Sequence, residues 1–240
     1  MPTPDGGAYY AECTRLLAEL EDAESAFSGS RPRGRLHVDA HGTLARRFIV
    51  PRLPAFLEAY PEIELFMSDG DRYVDLLREG VDCVVRAGTL TDSDMISRRV
   101  TELEEITCAS SAYLARHGVP RGLDDFEGHR MVGFRSSASG SVLPLEFTVG
   151  QAVREVKLPC ALTVGGAETY AAAAIAGFGL IQAPRYRFES ELASGQLQIV
   201  LPQHPPVPLP ISVLYPRARH LAPRVRVFID WLAEVFRDVR

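Results

Sequence analysis

Positive charge is what this chain is short of: 26 Lys and Arg stand against 31 Asp and Glu, a net charge of −5. A nucleic-acid surface spread over the chain would need clustered cations to displace counterions from phosphate, so any contact with DNA must come from elsewhere. Cysteine is sparse as well. Cys13, Cys83, Cys108 and Cys160 are dispersed and form no Cys-x-x-Cys pair, which predicts buried free thiols in a reducing compartment rather than disulfides. The start, MPTPDGGAYYAECTRLL, lacks the basic residues and apolar run of a secretory leader, and no apolar run reaches the roughly 18 residues of a membrane span. A cytoplasmic protein with no membrane partner is expected. Tandem repeats and low-complexity tracts are missing too.

What is present is a core. At 240 residues and 46% hydrophobic content the chain can fill one large domain or two small lobes. The stretch from Gly34 to Gly88 reads as strand, helix, strand, helix, strand. Leu36, Val38 and Ala40 alternate with polar neighbours and stop at Gly42-Thr43, while Ile63 to Met67 and Cys83 to Val85 are short apolar runs. Helices between them imply a parallel sheet. The first helix carries Leu44, Phe48, Leu53, Phe56, Leu57 and Tyr60 near one face, and Pro51 and Pro54 predict a kink or two short helices end to end. Asp71 can cap the second helix, which Gly80 ends.

A similar unit follows. Glu105 to Ala109 reads as a strand leading to a short helix over Tyr113 to His117. Met131 to Phe134 is a strand, Leu145 to Val149 and Val153 to Leu158 form a hairpin about Gly150-Gln151, and Ala161 to Val164 is another strand. Gly165-Gly166 turns into the helix AETYAAAAIAG, and Gly179 to Ala183 is a buried strand ended by Pro184. Gln196 to Leu201 and Ile211 to Tyr215 are further strands, and Val225, Phe228, Ile229, Leu232, Val235 and Phe236 mark a final amphipathic helix, expected on the first sheet. The chain is expected to cross between lobes near Thr107 to Ala109 and near Pro208 to Ser212. That division gives a helix and connector over 1–33, a first lobe of 34–107 plus 211–240, and a second of 108–210.

Residues 8–27 form an amphipathic helix with Tyr9, Cys13, Leu16, Leu17, Leu20 and Phe27 along one side, followed by the polar connector Ser28 to Gly34. Such a helix packs either on its own domain or, hung on a linker, against another subunit; the second is favoured.

These segments resemble the effector-binding domain of the LysR-type transcriptional regulators, from about Pro4 to Leu232. GRLHVDAHGTLARRFIVPRLPAFLEAYPEIEL, DLLREGVDCVVRAGTLTDSDMISRRV, ASSAYLARHGVPRGLDDFEGHRMVGF, AAAAIAGFGLIQAPRY and LYPRARHLAPRVRVFIDWL stand in family order. The resemblance implies an α/β fold of two Rossmann-like lobes joined by two crossover segments, similar to the type 2 periplasmic solute receptors. It also implies a linker helix at the N-terminus, assembly into a dimer or tetramer, and a small-molecule effector held between the lobes. The winged helix-turn-helix that precedes the linker in the family is not found in the sequence, so DNA would be reached only through a segment beyond it. A solute receptor of the same fold, or a DNA-binding-deficient partner forming mixed oligomers with relatives, are the alternatives.

In open parallel sheets the strand C-termini and helix starts converge on the crevice, so the loops after Ala40 and after Val164 should face each other. Free N–H groups at a helix start suit a carboxylate. The candidate ligand-binding residues are therefore Ala40, His41, Gly42 and Thr43 on one side and Gly166 and Ala167 on the other. Thr43 can instead cap its own helix, and the glycines can be mere tight turns. Arg86, followed by Ala87, borders the effector cleft in the family and could clamp a carboxylate, or else pair with Asp69, Asp71 or Asp82. Phe134 offers an apolar wall unless it is simply core, Gln182 and Pro184 offer an amide and a wall, and Ser68 is a weaker candidate. His41 belongs at the rim, since no cysteine or carboxylate stands at relay or ligand spacing to make it catalytic or metal-binding. Gly177-Phe178-Gly179 ends a helix where a dinucleotide fingerprint would begin one, and Ser136 to Ser141 lacks the Gly-x-Ser-x-Gly elbow. The reading is of a receptor without cofactor and not of an enzyme.

Overall fold

The computed structural model describes residues 31–69, 80–88, 95–137, 139–217, 221–237 and 239, with Thr3, Gly6, Tyr9 and Cys13 singly. The helices expected over 8–27 and after Asp71 lie outside the described residues, except for Tyr9 and Cys13.

Strand β1 (Gly34–Ala40) sits between β2 (Ile63–Asp69) and β3 (Cys83–Ala87) and is parallel to both. Its Leu36, Val38 and Ala40 are fully buried on one face, as their alternation predicts, and Asp39 is buried on the other. The chain leaves β1 through α1 (Gly42–Leu44), widens into a π-helical turn over Ala45–Ile49, tightens into a 3-10 turn over Val50–Arg52 and resumes as α2 (Leu53–Ala59). Pro51 and Pro54 supply no N–H and crowd the preceding turn, which accounts for the broken helix.

Two further strands complete the sheet. β4 (Met95–Leu103) was not expected, and β12 (Leu209–Pro216) lies between it and β3, antiparallel to both. The last helix, α6 (Pro223–Val235), sets Val225, Phe228, Ile229 and Leu232 into the core with Phe48 and Phe56, and the Phe56 and Phe228 rings meet edge to face at 5.4 Å. Each such side chain contributes about 1.5–3 kcal/mol by leaving water.

The chain passes to the second lobe at Glu104. Strand β5 (Glu105–Ser110) pairs antiparallel with β10 (Ile181–Pro184) and β11 (Leu197–Ile199). Residues 105–107, assigned above to the first lobe, therefore belong to the second sheet, because Glu105 pairs with Pro184 at its start. Strand β6 (Met131–Phe134) pairs in parallel with β9 (Cys160–Val164), and Val132 N donates to Leu180 O at 3.0 Å while Leu180 N donates to Arg130 O at 2.9 Å. Those two bonds join β6 to the residue preceding β10. The resulting order, β9-β6-β10-β5-β11, repeats the order and directions of β2-β1-β3-β12-β4.

Helix α3 (Ser111–His117) follows β5, capped by the Ser110 hydroxyl, which accepts from Tyr113 N at 3.2 Å. The hairpin of β7 (Leu145–Val149) and β8 (Ala152–Val156) turns at Gly150, whose φ of 62° few other residues adopt. Helix α4 (Ala167–Ile175) links β9 to β10 and seats Tyr170, Ala173 and Ala174 in the second core. After β10 come a 3-10 turn over Arg185–Phe188 and α5 (Glu189–Ala193). Among the described residues no helix is long and apolar enough to cross a membrane.

Candidate functional site between the lobes

Parallel pairing sets Asp39 opposite Ser68, and Asp39 is the hub of a polar row at the end of the first sheet. Its carboxylate accepts from Ser68 Oγ at 2.7 Å and from the Arg86 guanidinium at 2.5 Å, while His37 Nε2 lies 3.1 Å from Ser68 Oγ. The Arg86 and Asp39 side chains are 17% and 6% exposed, so the pair is desolvated and each needs the other. Arg86 thus pairs with Asp39, a carboxylate outside the alternatives Asp69, Asp71 and Asp82 weighed from the sequence, of which Asp71 lies outside the described residues. Asp82 instead accepts from His37 N at 2.8 Å and lies 3.3 Å from Arg224.

Ala40 is buried at the end of β1, and a Cβ on Gly42 would stand 3.0 Å from the carboxylate of the exposed Asp69, a tight approach that a small shift of that side chain would relieve. Thr43 does not cap its helix. Its hydroxyl is 2.9 Å from His41 Nδ1 and 2.9 Å from the Tyr186 hydroxyl of the other lobe. The Tyr186 ring packs edge-on against Phe48 of the first core at 4.8 Å. Burial raises the Tyr186 phenol above its ordinary range against the opposing effect of the Thr43 hydrogen bond.

In the second lobe Gly166 caps α4 in extended conformation, without the positive φ of a tight turn, and Ala167 O accepts from Arg187 at 2.8 Å. Phe134 packs on the second core, its ring at 5.2 Å from Tyr170. The Gln182 amide is engaged internally: it donates to Thr107 Oγ1 at 2.9 Å and to Glu146 O at 2.6 Å, and accepts from Glu146 N at 2.7 Å. Pro184 and Ala87 are strand residues, paired with Glu105 and Ile211. Burial, with Glu146 adding its charge, pushes the Glu105 carboxyl up to about 7. All four cysteines are free; Cys83 and Cys108 are buried, which raises both thiols, Cys108 to about 12. Cys160 departs from the expectation of burial and is exposed on the edge strand β9.

Two ion pairs bridge the lobes beside Thr43. Arg46, one turn beyond Thr43, meets Glu168 at 3.1 Å, and Arg47 meets Glu189 at 2.8 Å. A cavity of about 360 Å³ lies between the lobes, with Thr43, Arg46 and Arg47 on one side and Glu168, Tyr186 and Arg187 on the other, over an apolar floor of Ala171, Ile175 and Phe188. Thr43 is the one residue of the expected set that lines it. Tyr186 also lines a second cavity of about 240 Å³ that runs to Leu103 and Glu104 at the crossing. Arg46, Arg47, Tyr186 and Arg187 were missed by sequence reasoning. Arg46 and Arg47 follow Thr43 at three- and four-residue spacing, which was a usable sign of a shared helix face. Among the described residues no cluster of His, Cys, Asp and Glu could hold a metal ion.

Two mixed sheets of the same strand order, joined by two crossings, define a two-lobed α/β fold of the type 2 periplasmic-binding-protein kind. Residues 29–237 match the LysR substrate binding domain, and the chain belongs to that family. It is 36% identical over 238 residues to an uncharacterized HTH-type transcriptional regulator, YhjC, of Escherichia coli K12, covering 98% of this chain and 80% of that protein. It is 34% identical to an HTH-type transcriptional repressor of Pseudomonas aeruginosa, covering 98% of this chain and 75% of that protein. Among solved structures it resembles CrgA, a LysR-type transcriptional regulator from Neisseria meningitidis, with a TM-score of 0.70, 27% identity, and coverage of 97% of this chain and 79% of that one.

Proposed function

We propose that this chain senses a small carboxylate metabolite bound between the lobes, and that in a full-length regulator this binding controls transcription through a winged helix-turn-helix. The supporting observation is the interlobe cavity of about 360 Å³, a volume suited to a small metabolite, lined by Thr43 and by three arginines, Arg46, Arg47 and Arg187, against two glutamates, Glu168 and Glu191. Among the described residues Arg46 and Arg47 are held by exposed ion pairs, which an incoming carboxylate can replace at little cost. The N–H groups at the starts of α1 and α4 add positive potential. Ligand binding across the gap acts on the regulator only if it favours one lobe arrangement over another. Assembly into a dimer or tetramer, through the helix expected from the sequence of 8–27, would transmit that choice, in the cytoplasm, where the regulated DNA lies.

Calorimetric titration with a panel of aromatic and aliphatic carboxylates tests the proposal. At least one binds, and Thr43→Val weakens it about fivefold or more through the loss of one hydrogen bond. If no member of the panel binds, or Thr43→Val leaves every affinity unchanged, the site is elsewhere.

A further inference from the structure

Tyr186 is fixed in one lobe and half-buried against the other. Its 3-10 turn is tied at both ends: Arg185 N donates to Glu104 O, at the crossing, at 3.0 Å, and Phe188, 1% exposed, sits in the second core. The ring between them leaves that lobe and packs on Phe48 of the first. Its hydroxyl then meets Thr43, which is 6% exposed and also bonded to His41 Nδ1. Three polar atoms therefore form a chain that begins in the loop after β1 and ends on the 3-10 turn of the second lobe.

The chain has a direction, and its members share it. A threonine hydroxyl has one proton, and both of its contacts, at 2.9 Å, are good hydrogen bonds. If His41 Nδ1 carries no proton, Thr43 donates to it and accepts from Tyr186. If Nδ1 is protonated, Thr43 accepts from it and its proton is released to Tyr186 or to a ligand carboxylate. The tautomer of His41 and the orientation of the Tyr186 hydroxyl are thus coupled through one atom. The neighbouring interlobe contacts, Arg46 to Glu168 and Arg47 to Glu189, have side chains more than half exposed and carry no comparable constraint.

We propose that Tyr186 is a positioning residue for the effector loop, orienting Thr43 and His41 across the lobe interface so that a ligand engaging that loop also acts on the contact holding the lobes together. This rests on the reading of the interlobe gap as the effector site. Its test needs no ligand, so it succeeds or fails separately from that reading. The imidazole ¹⁵N shifts of His41 report its tautomer, and residual dipolar couplings report the relative orientation of the lobes. Tyr186→Phe keeps the ring on Phe48 and removes only the hydroxyl. It shifts the His41 tautomer ratio by about fivefold, the worth of one neutral hydrogen bond, and broadens the range of lobe orientations. Thr43→Val does the same to His41, and Thr43→Ser restores the wild-type ratio. A purely packing role for Tyr186 leaves His41 unmoved in Tyr186→Phe, and that result, or an unchanged ratio in Thr43→Val, overturns the proposal.

Discussion

Replacing Gln182 with leucine tests how the second lobe is held together. The Gln182 amide meets both backbone groups of Glu146, donating to its carbonyl at 2.6 Å and accepting from its N–H at 2.7 Å, as a neighbouring strand would. It thereby docks the β7–β8 hairpin on the sheet and holds the Thr107 hydroxyl at 2.9 Å. Leucine keeps most of the volume and loses these three bonds, each worth about 1 kcal/mol net. Water can reach part of the half-buried site, so the loss is about 2–3 kcal/mol. For a domain of this size that lowers Tm by about 5–10 °C. Chemical denaturation gives the free energy, and hydrogen exchange locates it: the amides of 145–149 exchange faster while those of β1 do not. A loss below about 1 kcal/mol with unchanged hairpin exchange would refute the docking role, and would return the Gln182 amide to consideration as a ligand group.

Two further outcomes bear on the same lobe. Because the folded state raises the Glu105 carboxyl to about 7, its contribution to stability is complete below its ordinary value near 4.5 and is lost as pH rises through 7. Glu105→Gln removes this slope and stabilises the protein at pH 8 by about 1–3 kcal/mol, measured by urea denaturation across pH; an unchanged slope contradicts the assignment. His129, lowered by burial and then by His117, acts in the opposite sense, costing stability as pH falls below about 6.5, so the difference between wild type and Glu105→Gln isolates the carboxyl. Gly179→Ala places a Cβ 2.6 Å from Arg130 O at a φ of +154°, on the backbone that Leu180 bonds. It should cost about 2–4 kcal/mol by thermal denaturation, and a neutral substitution would mean that β6 and β10 can separate without penalty.

The elements with clean periodicity were legible. Leu36, Val38 and Ala40 announce β1, and Phe228, Ile229 and Leu232 announce α6, because one face of each is fully buried. Strand β4 was not, since Arg98 and Arg99 sit exposed on a sheet edge where no alternation is required. The crossing was placed a few residues late because Glu105 begins a strand whose pairing with Pro184 only the tertiary structure supplies. Of the residues that the strand-to-helix rule singled out, Thr43 lines the interlobe cavity, while Gly166 and Ala167 do not. The rule could not reach Tyr186, whose role depends on a turn of the second lobe reaching Phe48 across 138 residues of chain. Nor could it show that Asp39 would engage Ser68 and Arg86, a consequence of register rather than of composition.

The most direct measurement is a crystal structure of this chain grown with the tightest-binding carboxylate of the panel. Density for its carboxylate within hydrogen-bonding distance of the Thr43 hydroxyl, with Arg46, Arg47 or Arg187 turned toward it, is the predicted result. The same acid bound outside the interlobe gap, or a gap closed by side chains with no room for it, would contradict the account.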